Sequence, residues 1–253
     1  MPGKLRMPGH NRLHTMSSPN PPIDQRGYAN PELLVSTEWL ADHLDDPGVR
    51  IVDCDPPGGF ERTHIPGTVP VVDNYYKSRD SIHVQSASEF EQTMSALGIS
   101  NDMTVVAYDS DRAHLSPRLF WALRLYGHDR VKVLDGGFAK WFEEGRPLER
   151  KTRRYAPGNF TAQGPQPVNA LKDDVLAEIG NSETVFWDVR TDEEYSGEND
   201  RGTARGGRIP GAVHLEWANL VTGEDVPVFK PGDELRALLE GVGVTPDKNI
   251  VAY

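Results

Sequence analysis

One strand-like segment of this sequence leads into a loop whose chemistry depends on a single residue type. Val105 to Tyr108 is an apolar run of strand length, and Asp109 opens the loop that follows it. Ser116-Pro117 then forms a helix start, with a capping serine and a proline in the first turn. Unpaired amides and the helix dipole at such a start favour an anion or a thiolate. Cysteine in place of Asp109 would be a strong nucleophile, whereas aspartate predicts a catalytically silent site.

The same pattern occurs a second time along the chain. Ile65-Pro66-Gly67 recurs as Ile209-Pro210-Gly211, 144 positions later (209 minus 65), and Val106-Ala107-Tyr108 recurs as Val251-Ala252-Tyr253, 145 positions later (251 minus 106). Solenoid repeats run about 20–50 residues, so this longer spacing predicts two related domains. The counterpart of Asp109 in the second copy is the position after Tyr253. We therefore expect the chain to stop one residue before the position of a nucleophile in the second copy, with no catalytic nucleophile of its own and with its second domain incomplete.

The elements around these positions alternate between strands and helices. The first copy predicts strands at 49–54, 104–108 and 131–134, with helices at 88–97, 116–126 and 138–144; the second predicts helices at 170–179 and 233–239, with strands at 184–189 and 249–253. Such alternation indicates α/β domains, each with a central, mostly parallel sheet flanked by helices. We predict a disordered tail (1–30), a first domain (31–147), a linker (148–167) and a partial second domain (168–253).

Composition narrows the range of functions. The chain has 253 residues, a net charge of −11 and 37% hydrophobic residues, which suits two globular domains and disfavours nucleic acid as a partner. No apolar run approaches the roughly 20 residues of a membrane span. The single cysteine, Cys54, excludes an intrachain disulfide and fits a reducing compartment, so we expect a cytoplasmic protein. No cysteine and histidine cluster indicates a metal, no phosphate-binding glycine loop indicates a nucleotide cofactor, and the oligomeric state stays open.

Three segments resemble a known family. Phe60-x-x-x-His64-Ile65-Pro66-Gly67-Thr68 matches the amino-terminal signature of the rhodanese family, with Thr68 where alanine is usual. Val133-Leu134-Asp135-Gly136-Gly137-Phe138-x-x-Trp141 resembles the segment after the family's active-site helix. Arg205 to Val213 resembles the first signature again, with Arg208 in place of histidine. The sequence is thus similar to the tandem sulfurtransferases of this family from about residue 35 to residue 253.

The resemblance implies an activity and its site. Tandem members have an inactive first domain, often with aspartate at the cysteine position, and a catalytic cysteine in the second. It implies that the sulfane sulfur of thiosulfate moves to cyanide or another thiophilic acceptor through a cysteine persulfide, without a cofactor. Arg190 is our candidate for contact with the anionic donor, although a structural salt bridge to Asp192, Glu193 or Glu194 explains it equally well. Asp188 is a weaker candidate, which we expect to order the turn.

Other interpretations stay open. The donor is either thiosulfate or 3-mercaptopyruvate, and a non-catalytic binding or sulfur-relay module is the alternative from another class. A phosphatase of the related cell-cycle type is disfavoured, because it needs a longer cysteine loop. Cys54 lies outside the anion-binding loop, so we interpret it as a structural thiol. Arg112, His114 and Arg118 flank the loop after Tyr108, and we expect them to be solvated or interdomain rather than anion-binding.

Overall fold

The first domain is built on one parallel sheet. The computed structural model describes residues 21–61, 63–72, 75–78, 83–223 and 225–253. The strands are β1 (Leu34–Val35), β2 (Val49–Asp53), β3 (Val69–Pro70), β4 (Thr104–Tyr108) and β5 (Val131–Leu134). They lie in the order β1-β5-β4-β2-β3, and each neighbouring pair is parallel. The predicted α/β architecture is therefore confirmed.

In the described residues, four α-helices lie between successive strands and a fifth follows the last strand. They are α1 (Thr37–Asp42), α2 (Pro57–Phe60), α3 (Ala87–Ala96), α4 (Ser116–Leu125) and α5 (Gly137–Glu143). The side chain of Ser36 caps α1 by accepting from the Trp39 amide at 3.2 Å. Ser86 and Glu89 form a reciprocal capping box at the start of α3. Local sequence therefore sets where these helices begin.

The core of the first domain lies on both faces of the sheet because adjacent side chains of a strand point to opposite faces. On β4, Val105 and Ala107 belong to the cluster under α3 and α4, whereas Val106 and Tyr108 belong to the cluster that includes Leu40 and Trp141. All of these residues are essentially inaccessible to solvent. A strand buried on both faces reads as a continuous apolar run, which is how the sequence reads here.

The second domain repeats part of this architecture. Its elements are α6 (Lys172–Glu178), β6 (Thr184–Asp188), α7 (Asp192–Ser196), β7 (Val213–His214), α8 (Gly232–Gly241) and β8 (Asn249–Ala252). The parallel order β7-β6-β8 corresponds to β3-β2-β4 of the first domain. Its fully buried apolar side chains are few: Phe186, Ala212, Val221, Val228 and Val244. Leu171, Leu176 and Ile250 are exposed, so the described part of this domain encloses a much smaller core.

Two segments outside the domains are ordered by long-range contacts. Residues 21–30, which we expected in a disordered tail, pack against both domains, while residues 1–20 of that tail lie outside the described residues. Arg26 is buried and pairs with Asp135 at 2.6 Å, and its carbonyl accepts from the Gly232 amide. The expected linker, 148–167, runs along the first domain, where Phe160 enters the core and the Tyr155 ring lies 3.3 Å from the Arg50 guanidinium. Composition alone missed these contacts because their partners are distant in sequence.

Candidate active site

The carboxyl ends of paired strands place the functional positions in the same register in both domains. Asp53 of β2 is paired with Tyr108 of β4. In the second domain Trp187 pairs with Ala252, and the Tyr253 amide donates to the Trp187 carbonyl at 3.1 Å, which sets Asp188 opposite Tyr253. Ligands of parallel α/β sheets bind beyond these ends. The two domains therefore present equivalent sites, and the first domain shows in full what such a site contains.

In the first domain the site is filled by the protein's own carboxylate. The Asp109 side chain accepts four backbone hydrogen bonds: from the amides of Asp111 at 2.9 Å, Ala113 at 3.0 Å, Leu115 at 3.1 Å and Ser116 at 2.6 Å. Only 2% of Asp109 is exposed. The loop therefore has the anion-binding amides expected of it, and Asp109 occupies them.

The start of α4 differs from the sequence-based expectation. We predicted Ser116 as the capping residue, but its side chain makes no capping bond and Ser116 lies within the helix. The Asp109 carboxylate caps the helix instead, by accepting from the amides of Leu115 and Ser116. A carboxylate at a helix start also interacts favourably with the helix dipole, which explains why this longer-range cap prevails.

A second carboxylate closes the first-domain site further. Asp55 accepts from the Ser110 amide with both oxygens, at 2.9 and 3.1 Å. Burial raises the pKa of Asp55, although its bonds from Ser110 oppose this. Asp53, which accepts from the Tyr108 hydroxyl at 2.8 Å, has its pKa raised to about 6, mainly by burial. The cluster of three aspartates disfavours any anionic ligand at this site.

The only cysteine lies beside this acidic cluster. Cys54 is buried, and burial together with the nearby Asp109, Asp53 and Asp55 raises the pKa of its thiol well above the ordinary value. A thiol held in its neutral form is a poor nucleophile. These contacts fit the structural role that we expected for Cys54.

In the second domain an arginine stands where the first domain has Asp55. Arg190 is two residues after Asp188, as Asp55 is two residues after Asp53. Its Nε and Nη2 donate to the two oxygens of Asp188 at 2.9 and 2.6 Å, and Nη2 also donates to the Gly207 carbonyl at 2.9 Å. The charge at this position is thus inverted between the domains.

This ion pair differs from the ones that the sequence suggested. Arg190 pairs with Asp188 and not with the nearby acids, since Asp192 lies 3.3 Å from His214 and Glu194 pairs with Arg201 at 3.0 Å. Asp188 is fully buried and also accepts from the Arg190 amide, so it orders the turn.

The Arg190 pair sets the ionisation of the buried carboxylate. Burial opposes ionisation of Asp188, but the hydrogen bonds from Arg190 and Tyr253 outweigh it and lower the pKa of Asp188. The pair also raises the pKa of Arg190. The Arg190 guanidinium lies 5.2 Å from the Tyr253 ring centroid. The Arg190 side chain is 31% exposed. A fixed, partly accessible cation therefore stands at the mouth of the second site.

The signature residues at the other side of each site are structural. The buried His64 ring donates from Nδ1 to the Phe60 carbonyl at 3.0 Å and stacks on the Phe60 ring at 3.9 Å. In the second copy Arg208 lies 4.3 Å from the Tyr195 ring centroid. Replacement of histidine by arginine therefore preserves a stacked contact with an aromatic residue. Within the described ranges, no cluster of three or more metal-ligating side chains occurs, and no helix is both long and apolar enough to cross a membrane.

Comparison with known proteins agrees with this architecture. The Rhodanese-like domain family matches residues 36–144 and 171–253. A sulfur carrier protein, TtuD, from Thermus thermophilus is 39% identical over 249 residues, covering 90% of this chain and 84% of that protein. A protein from Saccharopolyspora erythraea, named putative thiosulfate sulfurtransferase, is 32% identical and covers 88% of this chain and 81% of its own length.

A solved structure shows the same tandem arrangement. The crystal structure of SseA from Escherichia coli, described as a 3-mercaptopyruvate sulfotransferase with the rhodanese fold, superposes with a TM-score of 0.76 at 30% identity and covers 87% of each chain. The family match includes β2 to β5 of the first sheet and all three strands of the second, and each of its two segments contains one copy of the strand-end site. With two rhodanese-like domains in tandem, this chain belongs to the rhodanese family.

Proposed function

We propose that this chain forms the donor-binding part of a sulfurtransferase whose active site lies in the second domain. The sulfane sulfur of thiosulfate is transferred to cyanide or another thiophilic acceptor. The observation that carries this proposal is that the second domain has an arginine, Arg190, at the position where the first domain has Asp55. This difference changes a site closed by carboxylates into one suited to a small anion.

The first domain serves as the template for the loop in question. There, the residue after Tyr108 projects a carboxylate into four backbone amides. By the shared register, the residue that follows Tyr253 takes that place in the second domain. We propose that it is a cysteine, whose thiolate those amides and the helix dipole stabilise.

The charge inversion opens the site to a donor. In the first domain Asp55 occupies the Ser110 amide, the second amide of the loop. Arg190 in the equivalent position accepts nothing, so the corresponding amide in the second domain is left for a ligand. Among the described hydrogen bonds of Arg190, Nε and Nη2 are used and Nη1 is not. Nη1 is therefore the donor that we assign to an oxygen of the anionic substrate, and Asp188 holds the guanidinium in place.

The reaction then proceeds in two displacements. The thiolate attacks the outer sulfur of thiosulfate, the S–S bond breaks, and sulfite leaves with the bonding electron pair. Cyanide attacks the outer sulfur of the resulting persulfide, and thiocyanate leaves as the thiolate is regenerated. No oxidant, metal or cofactor enters this balance. A single cysteine in the described chain, free and not disulfide-bonded, fits a reducing compartment such as the cytoplasm.

Two alternatives rest on the relatives. SseA, at 30% identity, supports 3-mercaptopyruvate as donor, with pyruvate as the leaving product. The relative at 39% identity is named a sulfur carrier, which supports a relay in which a protein, and not cyanide, accepts the sulfur. Rates with thiosulfate and with 3-mercaptopyruvate, measured at equal cyanide, separate the two donors. Persulfide that is stable to cyanide but consumed by a partner protein would favour the relay.

The first experiment identifies the nucleophile. The codons after Tyr253 in the gene should encode a six-residue loop that begins with cysteine and contains glycine and arginine. Aspartate or a stop codon there would contradict the proposal. Residues 1–253 alone should form thiocyanate at the background rate, with or without Cys54→Ser. Turnover that disappears in Cys54→Ser would move the nucleophile to the first domain.

The second experiment tests Arg190 in a polypeptide that carries the nucleophile. Loss of one charge-assisted hydrogen bond costs about 1.5–3 kcal/mol, so Arg190→Ala should reduce kcat/KM for thiosulfate about 10- to 100-fold, mainly through KM. The control variant Arg201→Ala removes the ion pair between Glu194 and the largely exposed Arg201 of the same domain. It should leave KM unchanged. Equal kinetics for the two variants would remove Arg190 from the donor site.

A further inference from the structure

We infer that the silent loop of the first domain, residues 109–116, is a clamp that fixes the second domain, with Asp109 as its built-in anionic ligand. The inference concerns the contacts of this loop and does not depend on the proposed reaction. It rests on three observations: the way the loop is held, what its tip contacts, and how the opposite side of the same contact is closed.

The loop holds a conformation that its own sequence disfavours. Arg112 and Ala113 both have positive φ, 57° and 60°, in the left-handed region that residues other than glycine rarely adopt. Of the four amides bound by the Asp109 carboxylate, one precedes this pair (Asp111), one belongs to it (Ala113), and two follow it (Leu115 and Ser116). The buried carboxylate therefore supplies the interactions that stabilise the strained turn.

The strained turn directs two side chains at the second domain. Arg112 donates from Nη2 to the Thr222 carbonyl at 3.2 Å. The His114 ring stacks on the Trp217 ring, with centroids 4.8 Å apart and planes within 10°. Oδ2 of Asp111 lies 2.9 Å from His114 Nδ1, and this hydrogen bond orients the ring. The residues that follow Asp109 thus form an interdomain contact.

The backbone behind the turn closes the same contact. The Phe138 amide donates to the Asp109 carbonyl at 3.0 Å, and a Cβ on Gly137 would lie 2.3 Å from that oxygen. Glycine at 137 therefore permits α5 to sit directly against the loop. Asp135, just before it, accepts from the Phe229 amide at 2.9 Å and pairs with Arg26.

The segment held in this way is residues 217–229 of the second domain, as far as it is described. Val221 and Val228 are buried, and the cavity left between this segment and the silent loop is about 10 Å³. A space of that size admits no more than one water, so the two surfaces are closely packed. The segment follows β7, whose strand end borders the Asp188 site, and the clamp therefore fixes one wall of the second site.

The first test empties the anion position and refills it. Asp109→Ala leaves four amides without their acceptor, and the melting temperature of the chain should fall by about 4 °C or more. Sodium formate, a free carboxylate, should restore part of this loss relative to sodium chloride at equal ionic strength. The wild type and Asp129→Ala, which removes an exposed aspartate of the same domain, should show no formate-specific gain.

A milder variant covers the case in which Asp109→Ala does not fold. Asp109→Asn keeps one acceptor oxygen, which serves two of the four amides, so its melting temperature should lie between those of wild type and Asp109→Ala. An unchanged melting temperature in Asp109→Asn, or a formate gain equal in all variants, would overturn the inference.

The second test measures the effect of the clamp on the second domain. Hydrogen exchange of the amides in 217–229 should rise about tenfold or more in Asp109→Asn and in the double variant Arg112→Ala/His114→Ala, because the contact now opens more often. Arg124→Ala, on the exposed side of α4, is the matched control and should leave these amides unchanged. Unchanged exchange in both clamp variants would show that the loop contacts the second domain without fixing it.

Discussion

The ion pair between Arg190 and Asp188 gives a prediction that can be compared with the equivalent aspartate of the first domain, Asp53. Asp53 and Asp188 occupy equivalent strand ends, both are buried, and each lies beside a tyrosine hydroxyl. They differ in the residue two positions later in the sequence, which is Asp55 after Asp53 and Arg190 after Asp188. Without an arginine, burial raises the pKa of Asp53 to about 6, whereas the bonds from Arg190 reverse the effect of burial and lower the pKa of Asp188. Arg190→Ala should therefore move the pKa of Asp188 upward, in the direction of Asp53.

The cost in stability follows from the geometry. Arg190→Ala removes two hydrogen bonds, of 2.9 and 2.6 Å, from a carboxylate that is fully buried. Breaking a fully buried ion pair costs about 3–5 kcal/mol, but 31% of the Arg190 side chain is exposed, so we expect about 2 kcal/mol at neutral pH. Arg190→Lys keeps the charge without the paired donors and should recover less than half of this loss.

The direction of the pKa shift of Asp188 determines whether the stability of the second domain rises or falls with pH. In the wild type the folded pKa of Asp188 is lowered, so its contribution to stability is full above the unfolded value of about 3.9 and is lost as pH falls through the folded pKa. In Arg190→Ala the shift reverses, and the free energy of unfolding of the second domain should increase as pH falls from 7 towards 4. Urea denaturation between pH 7 and 4, followed at the amides of β6 and β8, measures this free energy. The same measurement on Asp188→Asn corrects for the other titrating groups. A pKa for Asp188 that stays below its ordinary value in Arg190→Ala would refute the reasoning.

Three further outcomes are expected. Because the folded pKa of Asp53 is raised to about 6, the first domain should lose about 2 kcal/mol of stability as pH rises from 4 to 7, and Asp53→Asn should flatten that dependence in urea denaturation. Leu40→Ala, in the closed core, should cost about 2–5 kcal/mol, whereas Leu176→Ala, 55% exposed on α6, should cost less than about 0.5 kcal/mol by the same measurement. Native Cys54 should react with a thiol reagent only as fast as the first domain opens, so that added urea accelerates the reaction; rapid labelling without urea would contradict its burial.

The sheet was predictable from the sequence because its signals are local. Runs such as Thr104 to Tyr108 are apolar on both faces, and the turn and capping residues that bound them leave few alternatives. The repeat of Ile-Pro-Gly and Val-Ala-Tyr then fixes the correspondence between the domains, because both triplets keep nearly the same spacing. Strand-end positions such as Asp53 and Asp188 follow directly from that correspondence.

The partners of polar side chains were not predictable in this way. Sequence proximity suggested Asp192, Glu193 or Glu194 for Arg190, but a side chain that leaves a strand end folds back on the carboxylate two residues before it. Residues 21–30 resemble a tail by composition, yet Arg26 finds Asp135 across 109 positions. Burial of an ion pair depends on tertiary packing, and no local pattern records it.

Asp109 shows how a loop without a cysteine nucleophile can act as structure. Loop amides around a helix start must be paired with an acceptor, and a buried loop that lost its ligand without replacement would leave several donors unsatisfied. A carboxylate on the loop itself meets that need with no ligand in solution, but it also excludes every other anion from the place. An aspartate at this position therefore also makes the loop rigid, and a rigid loop is suited to hold a neighbouring domain. On this argument, the proposed catalytic silence of the first domain and the proposed order of the second are two consequences of one side chain.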